Sequence, residues 1–184
     1  MTITQTSFNN LYIFTPKVFQ DNRGLFFESY TKKYFHQLGL KFNFVQDNHS
    51  YTKKKYTFRG LHYQLNPRSQ TTLIRVLSGK ILDVVVDLRK SSPTYGQYCS
   101  NVLSAKNKKQ LLIPKGFAHG FLTLTNNVNI LYKMDAYYSS KFDRILNVMD
   151  KDLNINLKIS WNDILMAEKD SQAPMLNEIE NNFI

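Results

Sequence analysis

From the amino terminus to about Tyr138, apolar and polar residues alternate with the period of a β-strand, in short runs divided by turn residues. The run Asn10 to Phe19 alternates and is followed by the turn-rich Gln20 to Gly24 (QDNRG), which predicts an edge strand and its turn. Tyr34, Phe35 and Leu38 instead recur at helical spacing, between Thr31 as N-cap and Gly39 as stop, so one short helix is expected there. FNFVQDNHSY, FRGLHYQL, TTLIRVLSGKILDVVVDLR, YCSNVLSA, KQLLIPKGFAHGFLTLT and VNILYKMDAYY then read as short strands. Within the third of these, LSGK predicts a hairpin turning at Gly79, and SSPTYG breaks the following connection. Beyond Tyr138 the pattern weakens into irregular or mixed structure, expected to cover one end of a barrel. An all-β sandwich or jelly roll with a few short helices, one domain over residues 1–184, is the architecture this pattern predicts.

Composition supports that class. Aromatic residues make up 14% of the chain, with 13 Phe and 11 Tyr against 7 Gly and 5 Pro, and aromatic rings suit a pleated, half-buried surface. Cys99 is the single cysteine, so no internal disulfide is possible, and MTITQTSFNN lacks the basic start and apolar run of a secretory signal. A reduced, cytoplasmic protein is expected, and no apolar run reaches the length of a membrane span. The formal net charge of +10 suits either a nucleic-acid binder or a protein that draws in a small anionic ligand. The second fits better, because Lys53 to Lys55 and Lys106 to Lys109 fall in predicted loops or exposed faces with no nucleic-acid-binding signature around them.

Two polar islands interrupt the apolar strands. In FRGLHYQ, alternation places Gly60, His62 and Gln64 on one face and Leu61, Tyr63 and Leu65 on the other. A polar set facing inward implies a wet cavity; the alternative has the leucine face on the core and His62 in solvent. PKGFAHGF repeats the anomaly at His119, between glycines that permit close approach of a ligand or backbone. A metal site is not expected. There is no His-x-His, and no Asp or Glu follows His62 before Asp83.

The motifs DNRGLFFESY, FVQDNHS, FRGLHYQ, GKILDVVVDLRKSSPTYG, LSAKNKKQLLIPKGFAHGF, LYKMDAYY and EKDSQAPML, in that order and spacing, resemble the RmlC family of dTDP-4-dehydrorhamnose 3,5-epimerases. The resemblance runs from about Phe14 to Leu176. It implies a metal-free, cofactor-independent cupin jelly roll, a homodimer, and a nucleotide-sugar site that borrows residues from the neighbouring subunit. Inverting a centre beside a ketone needs a base on one face of the sugar, an acid on the other, and stabilisation of the enolate between them. By resemblance His62 is the base, Tyr132 the acid and Asp170 the carboxylate that orients His62. His119 and Asp83 are implied as further polar residues of the cavity, with a purely structural role for Asp83 left open.

Arg59 gains a role from the same resemblance. A planar guanidinium binds pyrophosphate bidentately, so Arg59 would anchor the nucleotide while His62 works on the sugar. Arg23, Glu28, Gln46 and Asn48 are implied as further ligand-holding residues, Arg23 and Glu28 from the other subunit. Phe26 is implied as a stacking partner of the base, or alternatively as packing. One departure stands out: family members usually read Gln-Gly-Lys-Leu-Val where this chain reads Gln70-Thr71-Thr72-Leu73-Ile74, so Thr72 occupies the place of an active-site lysine. The segment LNVMDKD also rewrites the usual Trp-Asn-Asp. The expected function is epimerisation at C3, C5 or both of a 4-keto sugar nucleotide; the alternatives are a mono-epimerase, a ketoisomerase and a non-catalytic nucleotide-sugar binder.

Overall fold

The computed structural model describes residues 1–184. In chain order its strands are β1 (Thr2–Gln5), β2 (Tyr12–Thr15), β3 (Phe19–Asp21), β4 (Gly24–Phe26), β5 (Gln46–Thr52), β6 (Phe58–Gln64) and β7 (Thr72–Ser78). They continue as β8 (Lys80–Asp87), β9 (Tyr98–Ser104), β10 (Gln110–Ile113), β11 (Phe117–Thr123), β12 (Val128–Met134) and β13 (Asp143–Ile145). Helix α1 (Lys32–Gln37) precedes β5, and a 3₁₀ turn at Trp161–Asp163 and the short α2 (Glu168–Ser171) follow β13. No helix is long and apolar enough to cross a membrane.

Two antiparallel sheets face each other as a jelly roll. The larger has strand order β1-β2-β10-β7-β12-β5 and the smaller β13-β6-β11-β8-β9, while β3 and β4 stand apart as a two-stranded hairpin. Ile74, Val76, Ile81, Val85, Leu111, Phe121 and Ile130 pack between the sheets. The outer face of the smaller sheet is buried too: Leu61, Tyr63, Val84, Val86 and Leu122 pack under Leu146, Val148, Leu153, Ile155 and Phe183. This explains the unbroken Val84-Val85-Val86, since a strand covered on both faces has no reason to alternate. Helix α1 covers the larger sheet from outside, with Phe35 stacked on Phe14 at 4.6 Å between ring centroids.

Three expectations need correction. LSGK is not a hairpin: β7 and β8 belong to different sheets, and Gly79, at φ +80°, turns the chain from one to the other. A side chain there would be strained, and its Cβ would lie 2.6 Å from Thr125 Oγ1. The segment Asn10 to Phe19 is not one edge strand, because β2 is flanked by β1 and β10 and the chain then enters β3. The chain after Tyr138 does more than cover one end of the barrel: Leu146 to Leu157 and Phe183 bury the apolar outer face of the smaller sheet, while Leu165 to Asp170 reach the cavity.

Candidate active site

The cavity, of about 970 Å³, lies between the two sheets. His62, His119, Arg59 and Phe121 line it from the smaller sheet; Gln46, Asn48, Thr72, Ile74, Tyr132 and Met134 line it from the larger. The polar face of β6 is therefore the inner one. Its leucine face also meets a core, the outer one, so each sequence alternative described half of the arrangement.

Simple alternation would send Arg59 and His62 to opposite faces, because they are three residues apart. A bulge prevents this. The pairing of β6 with β11 runs His62 with His119, then shifts to Arg59 with Phe121, so Gly60 and Leu61 together oppose Gly120. The backbones touch there: a Cβ on Gly60 would lie 2.7 Å from both Gly120 Cα and the His119 carbonyl oxygen. Glycine on both strands is what allows the bulge, and the bulge brings guanidinium and imidazole into one cavity. Arg59 is aimed by the buried Thr52, whose hydroxyl oxygen accepts from its Nε at 3.1 Å.

His62 and Asp170 meet at 2.9 Å through Nε2 and Oδ1, and the Gly60 N–H donates to the other carboxylate oxygen at 3.2 Å. Burial alone would raise the Asp170 carboxyl. The hydrogen bonds from His62 and Gly60, with the charges of His62 and Lys169, outweigh that and hold it below the ordinary carboxylate range. An ionised Asp170 accepts the Nε2 proton, which leaves the Nδ1 lone pair free to act as a base. On the opposite sheet, burial raises the Tyr132 phenol, partly offset by the charge of Arg59, so its proton is held at neutral pH.

His119 forms a second pair, Nε2 with Asp83 Oδ2 at 2.8 Å. Asp83 is fully buried, and its Oδ1 has no hydrogen-bond partner. Thr72 is 8% exposed, its hydroxyl 3.4 Å from the Met134 sulfur. Gln46 bridges Asn48 Oδ1 and the Tyr138 N–H, which ties the cavity wall to the loop carrying Tyr138. No cluster of His, Cys, Asp and Glu has the arrangement of a metal site.

Arg23, Phe26 and Glu28 do not join the cavity of their own chain. Arg23 is exposed on the β3–β4 hairpin and pairs with Asp21, Phe26 is 68% exposed, and Glu28 is exposed just beyond. Sequence reasoning missed Tyr138 and Asp143, which line the cavity together with Lys169. Tyr138 and Asp143 follow β12 where no periodicity marks them. Lys169 had a visible signal in its place beside Asp170.

A family model described as dTDP-4-dehydrorhamnose 3,5-epimerase matches residues 5–178. The chain belongs to the dTDP-4-dehydrorhamnose 3,5-epimerase family. The enzyme of that name from Salmonella typhimurium is 45% identical over 179 residues, 97% of each chain. Among solved structures, the family member from Bacillus anthracis, with TDP and pyrophosphate bound, is 45% identical with a TM-score of 0.91, covering 95% of this chain and 98% of its own. The one from Legionella pneumophila, in complex with dTDP-4-keto-L-rhamnose, is 39% identical with a TM-score of 0.92, covering 97% and 94%. Members of this family are epimerases. The pairing of an oriented imidazole on one sheet with a protonated phenol on the other suits that chemistry.

Proposed function

We propose that this chain inverts C3, C5 or both of a dTDP-linked 4-keto-6-deoxy sugar. The observation that carries the reading is the placement of His62, backed by Asp170, and Tyr132 on opposite walls of one cavity. A sugar ring lying between the walls presents one face to each. Nδ1 of His62 takes the acidified C–H proton, and the electron pair moves into the enolate at C4. The Tyr132 hydroxyl then gives its proton to the carbon from the opposite side, and the configuration inverts. Arg59, close enough to act on the Tyr132 phenol, holds the pyrophosphate. The bound ligands of the Bacillus and Legionella structures support a dTDP-sugar as substrate.

The active unit in this reading is a homodimer. The β3–β4 hairpin exposes Phe19, Leu25 and Phe26, with Arg23 at its tip, and a second copy would cover that apolar surface while receiving Arg23, Phe26 and Glu28 at its cavity. Thr72 favours inversion at a single centre as the second reading, because it brings no charge to the enolate.

Proton NMR in deuterated water, with dTDP-4-keto-6-deoxyglucose, tests the assignment. Wild type should exchange deuterium into C3, C5 or both, and His62→Asn should abolish exchange while dTDP affinity stays within about threefold, since anchor and base are separate groups. Exchange that survives in His62→Asn means that another group is the base.

A further inference from the structure

The carboxylate beside His62 is carried by α2, a helix of only four residues with no side-chain cap at its start. So short a helix has almost no internal hydrogen-bond ladder to fix the direction of its side chains. Yet Asp170 is 2% exposed and sits 2.9 Å from His62. What holds it in that place must come from outside the helix.

Asn147 supplies a tie of the right kind. It follows β13, beside the strand of the base: Leu146 exchanges both backbone hydrogen bonds with Leu61, at 2.9 and 3.3 Å. The Asn147 side chain, 3% exposed, donates from Nδ2 to the carbonyl oxygens of Ser171 at 3.2 Å and Ala173 at 3.1 Å. Its Oδ1 accepts from the Met149 N–H at 2.9 Å, and its own backbone N–H donates to Pro174 O at 2.9 Å. Ser171 is the last residue of α2 and follows Asp170 directly. Asn147 therefore satisfies a helix-end carbonyl that has no partner within the helix, and in doing so joins the carboxylate's segment to the strand of the base. The amide is outside the cavity wall, so substrate does not touch it.

We propose that Asn147 is a positioning residue of the reaction, holding Asp170 against His62 through the carbonyls of Ser171 and Ala173. The proposal rests on the reading of His62 as the base. Two amide donors are what the place requires. An alanine would leave two carbonyls without a donor, and an aspartate would set a carboxylate against them.

A double-mutant cycle with Asn147→Ala and Asp170→Asn, read by deuterium exchange and steady-state kinetics, tests it. In the wild-type background Asn147→Ala should lower kcat about ten- to a hundredfold with KM within about threefold, the mark of a misplaced catalytic group. In the Asp170→Asn background the same substitution should cost under about threefold, because the group it positions is already gone. Equal losses in both backgrounds, a loss confined to KM, or an unchanged kcat would overturn the proposal. If Asn147→Ala does not fold, the cycle is run with Asn147→Ser, whose hydroxyl keeps one donor. If wild type turns over no 4-keto sugar, the functional reading fails and the tie is tested separately, by the downfield proton resonance of the His62 ring N–H. That signal should be sharp in wild type, absent in Asp170→Asn, and broadened or lost in the Asn147 variant; an unchanged signal there overturns the tie.

Discussion

Thr72 sits on the cavity wall contributed by β7, with its hydroxyl turned to the sulfur of Met134. The cations left to face an enolate are then few. The Lys133 ammonium donates to both carboxylate oxygens of Asp47, at 3.0 Å each, and lies over the Tyr30 ring, outside the cavity lining. Arg59 and Lys169 do line it. Thr72→Lys should therefore speed deuterium washout from one or both centres, by at most about two to three powers of ten, the usual worth of one such donor. If wild type already exchanges both protons rapidly and the variant is neutral or slower, Lys169 or Arg59 holds the enolate and the missing lysine is of no consequence. This departure was readable in the residue string itself. That Lys133 faces away from Tyr132 follows from alternation along the same strand, but its capture by Asp47 was not readable, because it depends on β5 lying alongside β12.

Among the elements, β6 and β8 show how local pattern and tertiary pairing divide the work. The alternation of GLHYQL set Gly60, His62 and Gln64 together on one face of β6 without deciding that this face was the inner one, and alternation alone would send Arg59 to the other side, since a bulge depends on what the neighbouring strand does at Gly120. The turn after β8 holds a different device. Asp87 is fully buried and accepts hydrogen bonds from Arg89, Ser92 and Thr94, the shortest being 2.6 Å from Ser92 Oγ. Burial raises its carboxyl, but those donors outweigh it and hold the group below its ordinary 3.8. A depressed folded-state value means the stabilisation is fully present above the unfolded value and is lost as pH falls through the folded one. Asp87→Asn should thus cost on the order of 3 kcal/mol at neutral pH, by breaking a buried charged pair. In urea denaturation the gap between variant and wild type should narrow as pH drops below about 4. A gap of constant size across that range would mean that Asp87 acts through shape alone.

For the whole molecule, the hairpin of β3 and β4 is the test of assembly. Arg23 and Glu28 have no place in their own chain's cavity, so in the proposed dimer each site takes His62 from one chain and Arg23 from the other. Arg23→Ala alone should weaken nucleotide-sugar binding in both sites. Co-expressed in equal amounts with His62→Asn, it should restore up to about a quarter of wild-type activity, because half of randomly paired dimers are mixed and each of those has one site with both residues. Recovery absent from mixed dimers, or full activity in a demonstrated monomer, would rule out the shared site.

What the residue order determined by itself was the class of the fold, through strand-period alternation and aromatic content, and the set of groups proposed for the chemistry, through the motifs around His62, Tyr132 and Asp170. These are local properties, written into a few residues at a time. Tertiary structure alone decided the rest. It sent β7 and β8 to different sheets, laid the chain after Tyr138 over the outer face of the smaller sheet, and put Asp170 2.9 Å from an imidazole 108 positions away. The reason is physical: which sheet a strand joins, and which segment covers its apolar face, depend on the total area buried and on partners distant in sequence, and no short window of residues contains that information.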